Sequence, residues 1–278
     1  MKSFSASWVL IFLCCMFSGA VPGYADIWYV DIDNTSGNED GTSWATAYRS
    51  IQDAVNDADA HGGGEVWVAE GAYTAVFDPV LTMVENVHLY GGFRGTETTR
   101  DQRDWTAHVS AIDGQDTRRC VKGADNVTLD GFTLRHGKAT DGGGMYNDSC
   151  SPTVTNCTFT GNSASWYGGG MYNRYGSPTV TNCTFTGNSA SNNSGGGIYG
   201  SPTVTNCTFT GNSASDDGGG ISGSPTVTNC TFTGNSVSYG SGGGISGSPT
   251  VTNCTFTGNS ASDDGGGISG SPTVTNCT

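Results

Sequence analysis

Two aspartate pairs, Asp216-Asp217 and Asp263-Asp264, are the only acids after Asp148, and paired carboxylates are what glycosidic hydrolysis needs. Both pairs sit in glycine runs, which hold side-chain geometry poorly, so no catalytic residue is assigned to them. As calcium ligands they lack the alternating Asp pattern of a calcium loop, and surface loop charge is the preferred reading. His61, His88, His108 and His136 show no metal-ligand spacing. Arg174 is the sole basic residue from position 139 onward, and no histidine accompanies it. Basic side chains gather instead in a charged segment, 94–105, with Arg94, Arg100, Arg103 and nearby His108. That segment reads either as a binding loop for an anionic glycan or as a solvated loop paired with Glu97, Asp101 and Asp104; the second is preferred. No cofactor and no metal site is expected.

Cysteine offers another chemistry. Of ten cysteines, Cys14 and Cys15 fall in an N-terminal leader, and Cys157, Cys183, Cys207, Cys230, Cys254 and Cys277 recur at one repeat position. Cys120 and Cys150 stand outside that register. Stacked on parallel turns, such cysteines have neighbouring alpha carbons within disulfide reach but beta carbons held rather far apart. Buried free thiols acting as small apolar residues are therefore expected. A linear ladder makes no tetrahedron, which argues against a metal. Asn-Cys-Thr also fits a glycosylation sequon, yet an inward or bend asparagine is a poor acceptor.

The elements that carry these residues come from a repeat. Ser-Pro-Thr-Val-Thr-Asn-Cys-Thr begins at Ser151, Ser177, Ser201, Ser224, Ser248 and Ser271, at periods of 26, 24, 23, 24 and 23. Such periods indicate a solenoid whose units complete one another's core. Thr, Val, Phe and Ile dominate, no Leu occurs in 151–278, and Gly excludes long helices. A parallel β-coil remains, an all-β solenoid. Val154 and Phe159 would face oppositely on one straight strand, so a bend at Asn156 resets the phase. Stacking then predicts a valine ladder (Val154, Val180, Val204, Val227, Val251), a phenylalanine ladder (Phe159, Phe185, Phe209, Phe232, Phe256) and a Met171-to-Ile268 side. Asn162, Asn188, Asn212, Asn235 and Asn259 are placed at the next bend, bonding amide to amide along the axis.

The paired motifs Gly-Gly-Gly-Ile and Phe-Thr-Gly-Asn resemble the repeats of bacterial polymorphic outer membrane proteins. The resemblance covers 126–278 and implies the right-handed single-stranded parallel β-helix of the pectin-lyase-like superfamily. It further implies a surface or secreted passenger, often adhesive.

Residues 1–25 read as a signal peptide: Lys2, an apolar run at 8–17 too short to span a bilayer, and Gly23-Tyr24-Ala25 before Asp26. Cleavage is placed between Ala25 and Asp26. Residues 26–125 read as a short α/β N-terminal cap with irregular first coils, including a helical stripe at Ile51, Ala54, Val55 and Ala58 and one strand over 65–73. A cap is needed because an open coil exposes a sheet edge. Residues 126–278 are the regular repeats, expected to continue beyond Thr278, since no polar cap follows.

The formal charge of −14 argues against nucleic acid as a partner. No transmembrane segment is read in the mature chain. These features predict an exported, non-enzymatic protein, outer-membrane associated or secreted, serving adhesion or structural display, with glycans or cell-surface components as partners. The competing reading is a carbohydrate-active enzyme, a lyase or glycoside hydrolase, or a glycan-binding relative.

Overall fold

The computed structural model describes residues 26–278; the leader over 1–25 and its cleavage point after Ala25 lie outside the described residues. Each repeat makes one turn of a coil because a left-handed residue separates its two short strands. Thr153–Thr155 and Thr158–Thr160 are strands, and Asn156 between them has φ 52°. Asparagine enters that region at small cost because its amide bonds locally. The bend resets the pleat, so Val154 and Phe159 both point inward, fully buried.

The second corner departs from expectation. Gly161, not Asn162, takes the left-handed angle, with φ 61°. Glycine has no Cβ to strain there, which leaves the next residue free to turn its side chain into the core. Asn162 is accordingly buried, and its Nδ2 donates to Asn188 Oδ1 at 2.9 Å and to the Leu134 carbonyl at 3.0 Å. The same amide-to-amide bond joins Asn188 to Asn212, Asn212 to Asn235 and Asn235 to Asn259. Among the described residues no buried side-chain polar atom lacks a partner, as a stable polar core requires.

Stacked turns build four all-parallel sheets. The valine sheet has ten strands, from Ile27–Val30 to Thr273–Thr275. The phenylalanine sheet runs over eight strands from Gly71–Tyr73 to Thr255–Thr257, and the methionine–isoleucine sheet over eight from Leu81–Thr82 to Ile268–Gly270. A fourth, short sheet runs from Lys138–Ala139 to Ser236–Val237. Val154, Val180, Val204, Val227 and Val251 pair in strict register. Phe159, Phe185, Phe209, Phe232 and Phe256 stack at 4.5–4.9 Å with rings within 6° of parallel.

The eight cysteines among the described residues are free thiols. Cys157, Cys183, Cys207, Cys230 and Cys254 are buried, and the N–H of each of the first four donates to the sulfur one turn on at 3.3–3.4 Å. Burial pushes the Cys183 thiol well up, so it stays protonated and donates to the Thr181 carbonyl.

At the N-terminal end, α1 (Ile51–Ala60) buries Ile51, Ala54, Val55 and Ala58 against the first strands. Its start is fixed by Ser50, whose hydroxyl accepts from the Asp53 N–H. The strand expected over 65–73 is two strands, Gly64–Ala69 and Gly71–Tyr73, on different sheets. The corner turns at Gly71, where φ is 149° and a Cβ would strike Ile32. Val87–Phe93 and Val121–Lys122 pair in register with Thr128–Asp130 and Met145–Asp148, while the expected irregularity falls between Gly64–Ala69 and Val87–Phe93, whose register shifts between Trp67 and Ala69. One hydrophobic core runs through cap and repeats alike.

Candidate functional site

An aromatic platform lies outside the methionine–isoleucine sheet. In Met145–Asp148 and Met171–Arg174 the pleat sends Met inward, Tyr outward, Asn inward and a charged residue outward. Register then stacks Tyr146 on Tyr172 at 5.3 Å and Tyr172 on Tyr199 at 5.5 Å. Tyr167 leans in from the glycine loop, 4.5 Å from Tyr199. The next rung carries Ser222, so the aromatic ladder stops there.

The corner beneath is stiffened from inside. Asn147 Nδ2 donates to Asn173 Oδ1 at 2.8 Å, and Asn173 Nδ2 donates to the Tyr199 carbonyl at 3.1 Å. One turn on, the place of this asparagine is taken by Gly200 at φ 118°, where a Cβ would meet the Asn173 carbonyl at 2.6 Å. Beside it a depression of about 520 Å³ opens between Tyr172, Arg174, Tyr175, Tyr199 and Ser201.

Two guanidinium groups flank the rings. Arg119 lies 4.6 Å over Tyr146, held by the Gly142 and Asp141 carbonyls at 3.0 and 2.8 Å. Arg174 is exposed and stacks 4.9 Å over Tyr175. Burial pushes the Tyr172 phenol up to about 12, so it remains a neutral hydroxyl that both donates and accepts. Rings of this kind supply an apolar body with a polar tip. The platform offers stacked ring faces and phenol hydroxyls to a ligand.

Two arginines of the charged loop, Arg100 and Arg103, pair outside the loop and not with Glu97, Asp101 or Asp104 as expected. Arg100 pairs with Glu65 at 2.6 Å and stacks over Tyr90 at 4.4 Å, while the Arg103 side chain is buried against Asp130, under Trp105 and beside Tyr90. His108 meets Glu70 at 3.0 Å. Glu97 accepts from the N–H groups of Arg94, Gly95 and Thr96, and Asp104 accepts from Thr106 and Ala107. Local carboxylates thus satisfy the loop's own backbone, while Arg100 and Arg103 reach across to the coil and Arg94 lies exposed. The loop is solvated over most of its length, as expected, and is tied to the coil through Arg100 and Arg103. Asp130 has its other oxygen on Asn156 Nδ2 at 2.8 Å, so this carboxylate is fully engaged too.

Asp217 accepts from the Ser241 N–H at 3.0 Å and Asp216 from the Ser215 hydroxyl, which makes both loop-shaping groups. Among the described residues no three His, Cys, Asp or Glu side chains converge as a metal site. The bend asparagines Asn182, Asn206, Asn229 and Asn253 are exposed, and the amides at Asn182 and Asn206 each bond to the asparagine one turn back. The tyrosine platform was not singled out from sequence. Its signal was present: the residue after each ladder Met or Ile is Tyr in three consecutive copies and Ser in the next three.

A family model described as the right handed beta helix region matches residues 82–214 and 120–278. No curated protein matches the chain in sequence. Among solved structures, the rice weevil pectin methyl esterase superposes with a TM-score of 0.53 at 12% identity, over 85% of this chain and 87% of that one. An Aspergillus niger pectin methylesterase gives 0.49 at 17% identity, over 93% and 87%. At 12% identity the likeness to the weevil enzyme is one of fold.

Proposed function

The chain belongs to the right-handed β-helix family, and from that premise we propose that it is an exported display protein that holds a glycan without turning it over. The observation that carries this reading is the stacked Tyr146–Tyr172–Tyr199 ladder beside a 520 Å³ depression with Arg174 at its rim. Sugars offer apolar C–H faces and many hydroxyls. Neutral phenols with partly exposed rings meet both needs, and a rigid sheet fixes their spacing before the ligand arrives.

Several further points accompany the proposal. The leader over 1–25, the cap over 26–125 and the repeats over 126–278 fit a passenger carried to the cell surface. The likeness of Gly-Gly-Gly-Ile and Phe-Thr-Gly-Asn to polymorphic outer membrane repeats supports adhesion over simple spacing. The pectin-lyase-like fold supports a carbohydrate ligand, and it also hosts enzymes. What favours binding over cleavage is the state of the carboxylates: Asp130 is tied to Arg103 and Asn156, Asp216 bonds within its own loop and Asp217 bonds to the loop of the next turn.

A panel of neutral and acidic polysaccharides, with and without calcium, tests the proposal. Binding without new reducing or unsaturated ends, lost in Tyr172→Ala, is the expected result. Release of such ends above background, abolished by Arg100→Ala or Arg103→Ala, would move the activity to the charged loop and make the protein an enzyme.

A further inference from the structure

A second surface, independent of the tyrosine platform, is built from threonine. On the valine sheet the outward residues on either side of each ladder valine are Thr, from Thr153 to Thr273 and from Thr155 to Thr275, over six consecutive rungs. On the phenylalanine sheet the same holds from Thr158 to Thr255 and from Thr160 to Thr257, over five rungs. Each face is therefore a two-column grid of identical side chains.

The grid has measurable periods. Along the coil axis the rungs repeat at 4.5–4.9 Å, as read from the phenylalanine stack beneath. Along a strand the two threonines are two residues apart, about 6.6 Å. The near-parallel rings and unbroken register mean that little twist accumulates, as side-chain ladders allow. Each threonine is β-branched and stiff at χ1, so hydroxyl and methyl are held in place rather than sampled.

These hydroxyls are not used by the protein. Among the described residues only Thr255, bonded to Thr278 at the last turn, has a hydroxyl partner within the two grids. Charge is absent as well: after Ser149 the charged residues are Arg174, Asp216, Asp217, Asp263 and Asp264, and none lies in a strand of either face. A flat, neutral, rigid grid of hydroxyls and methyls, repeating in two perpendicular directions, is poorly suited to a flexible or charged partner. It suits a partner that is itself a neutral lattice of hydroxyl groups.

We propose that the threonine faces bind ice. The axial period of 4.5–4.9 Å lies near an oxygen repeat of the hexagonal ice lattice, and each threonine offers one donor and two acceptors to lattice water while its methyl fills the gap between waters. Single contacts of this kind are weak. Held rigidly in a grid they engage together, so release requires all to break at once. The loop 94–109 borders the first two rungs of the phenylalanine face, where Trp105, Thr106 and Val109 line a depression with Thr158 and Thr184, and the rungs beyond lie clear of it.

The test grows ice slowly from a solution of the full chain and measures protein in the ice fraction, together with the freezing hysteresis and the shape of single crystals. The expected result is enrichment in ice and faceted crystals for the wild type. Thr205→Lys with Thr210→Lys, each at the centre of one face, is expected to lower enrichment at least tenfold with an unchanged circular dichroism spectrum. Tyr172→Ala is expected to leave ice enrichment intact, which separates this surface from the glycan platform. Exclusion of the wild type from ice overturns the proposal, whether or not it then adsorbs to crystalline cellulose or chitin. Full enrichment of the folded lysine variant overturns it equally.

Discussion

In the turns before Asp130 the outer surface of the ten-stranded sheet is covered, and in the turns after Thr153 it is bare. The early cover is aromatic and ionic: Trp67 stacks on Phe93 at 4.8 Å, Tyr29 and Trp44 pack beside them, and Arg103 is pinned to Asp130. The later surface carries only threonine, with asparagine at the bend. Inside, the two regions are alike, since aliphatic ladders fill both. The difference therefore lies in what the outward positions are for: closing the coil's end in one region, and presenting a repeated surface in the other.

The largest expected effect tests the shared interior. Phe209 has a ring stacked on each side at 4.9 and 4.7 Å, and Phe209→Ala is expected to cost about 3–5 kcal/mol in chemical denaturation. A cost below about 1 kcal/mol would mean that the ladder does not hold the repeats together.

Arg103→Ala probes the covered region. It leaves Asp130 buried without its cation, a loss of about 3 kcal/mol, and should open 94–109 to proteolysis. The matching change in the bare region, Arg174→Ala, removes an exposed charge and is expected to alter stability by less than about 0.5 kcal/mol. Equal costs would erase the distinction between clamp and display surface.

Acid sharpens the same contrast. Burial raises Glu97 and Asp113, but backbone donors, and for Asp113 also Arg135, outweigh it and hold both carboxyls below their ordinary range. Asp104 is held low by Thr106 and Ala107. A depressed carboxyl contributes stability above its unfolded pKa, near 4, and loses it as pH falls through the lower folded value. Hydrogen exchange should therefore quicken first in 87–135 on going below about pH 4, with 177–253 following later. The smallest effect belongs to Asp263→Asn, expected within about 0.5 kcal/mol of wild type at neutral pH.

The repeats made most of this fold legible. Five-residue spacing between Val154 and Phe159 demanded a bend, and asparagine named its place. The corner at Gly161 was misassigned to Asn162 because both residue types accept left-handed angles, and only burial shows which one turned. The tyrosine ladder was missed for a related reason: Tyr146, Tyr172 and Tyr199 matter only once register stacks them, and they interrupt a repeat whose regularity drew the reading elsewhere. In the charged loop, Glu65 and Asp130 are 35 and 27 residues from their arginines, so nearer acids looked like better partners.

Titration calorimetry against the best-binding polysaccharide of the panel, run in parallel on wild type, Tyr172→Ala and Arg94→Ala, tests the central claim most directly. The account predicts that Tyr172→Ala loses at least tenfold in affinity while Arg94→Ala stays within twofold, with no product formed by any of the three. Loss in Arg94→Ala alone, with Tyr172→Ala binding as wild type, would place recognition on the covered N-terminal region and contradict the account.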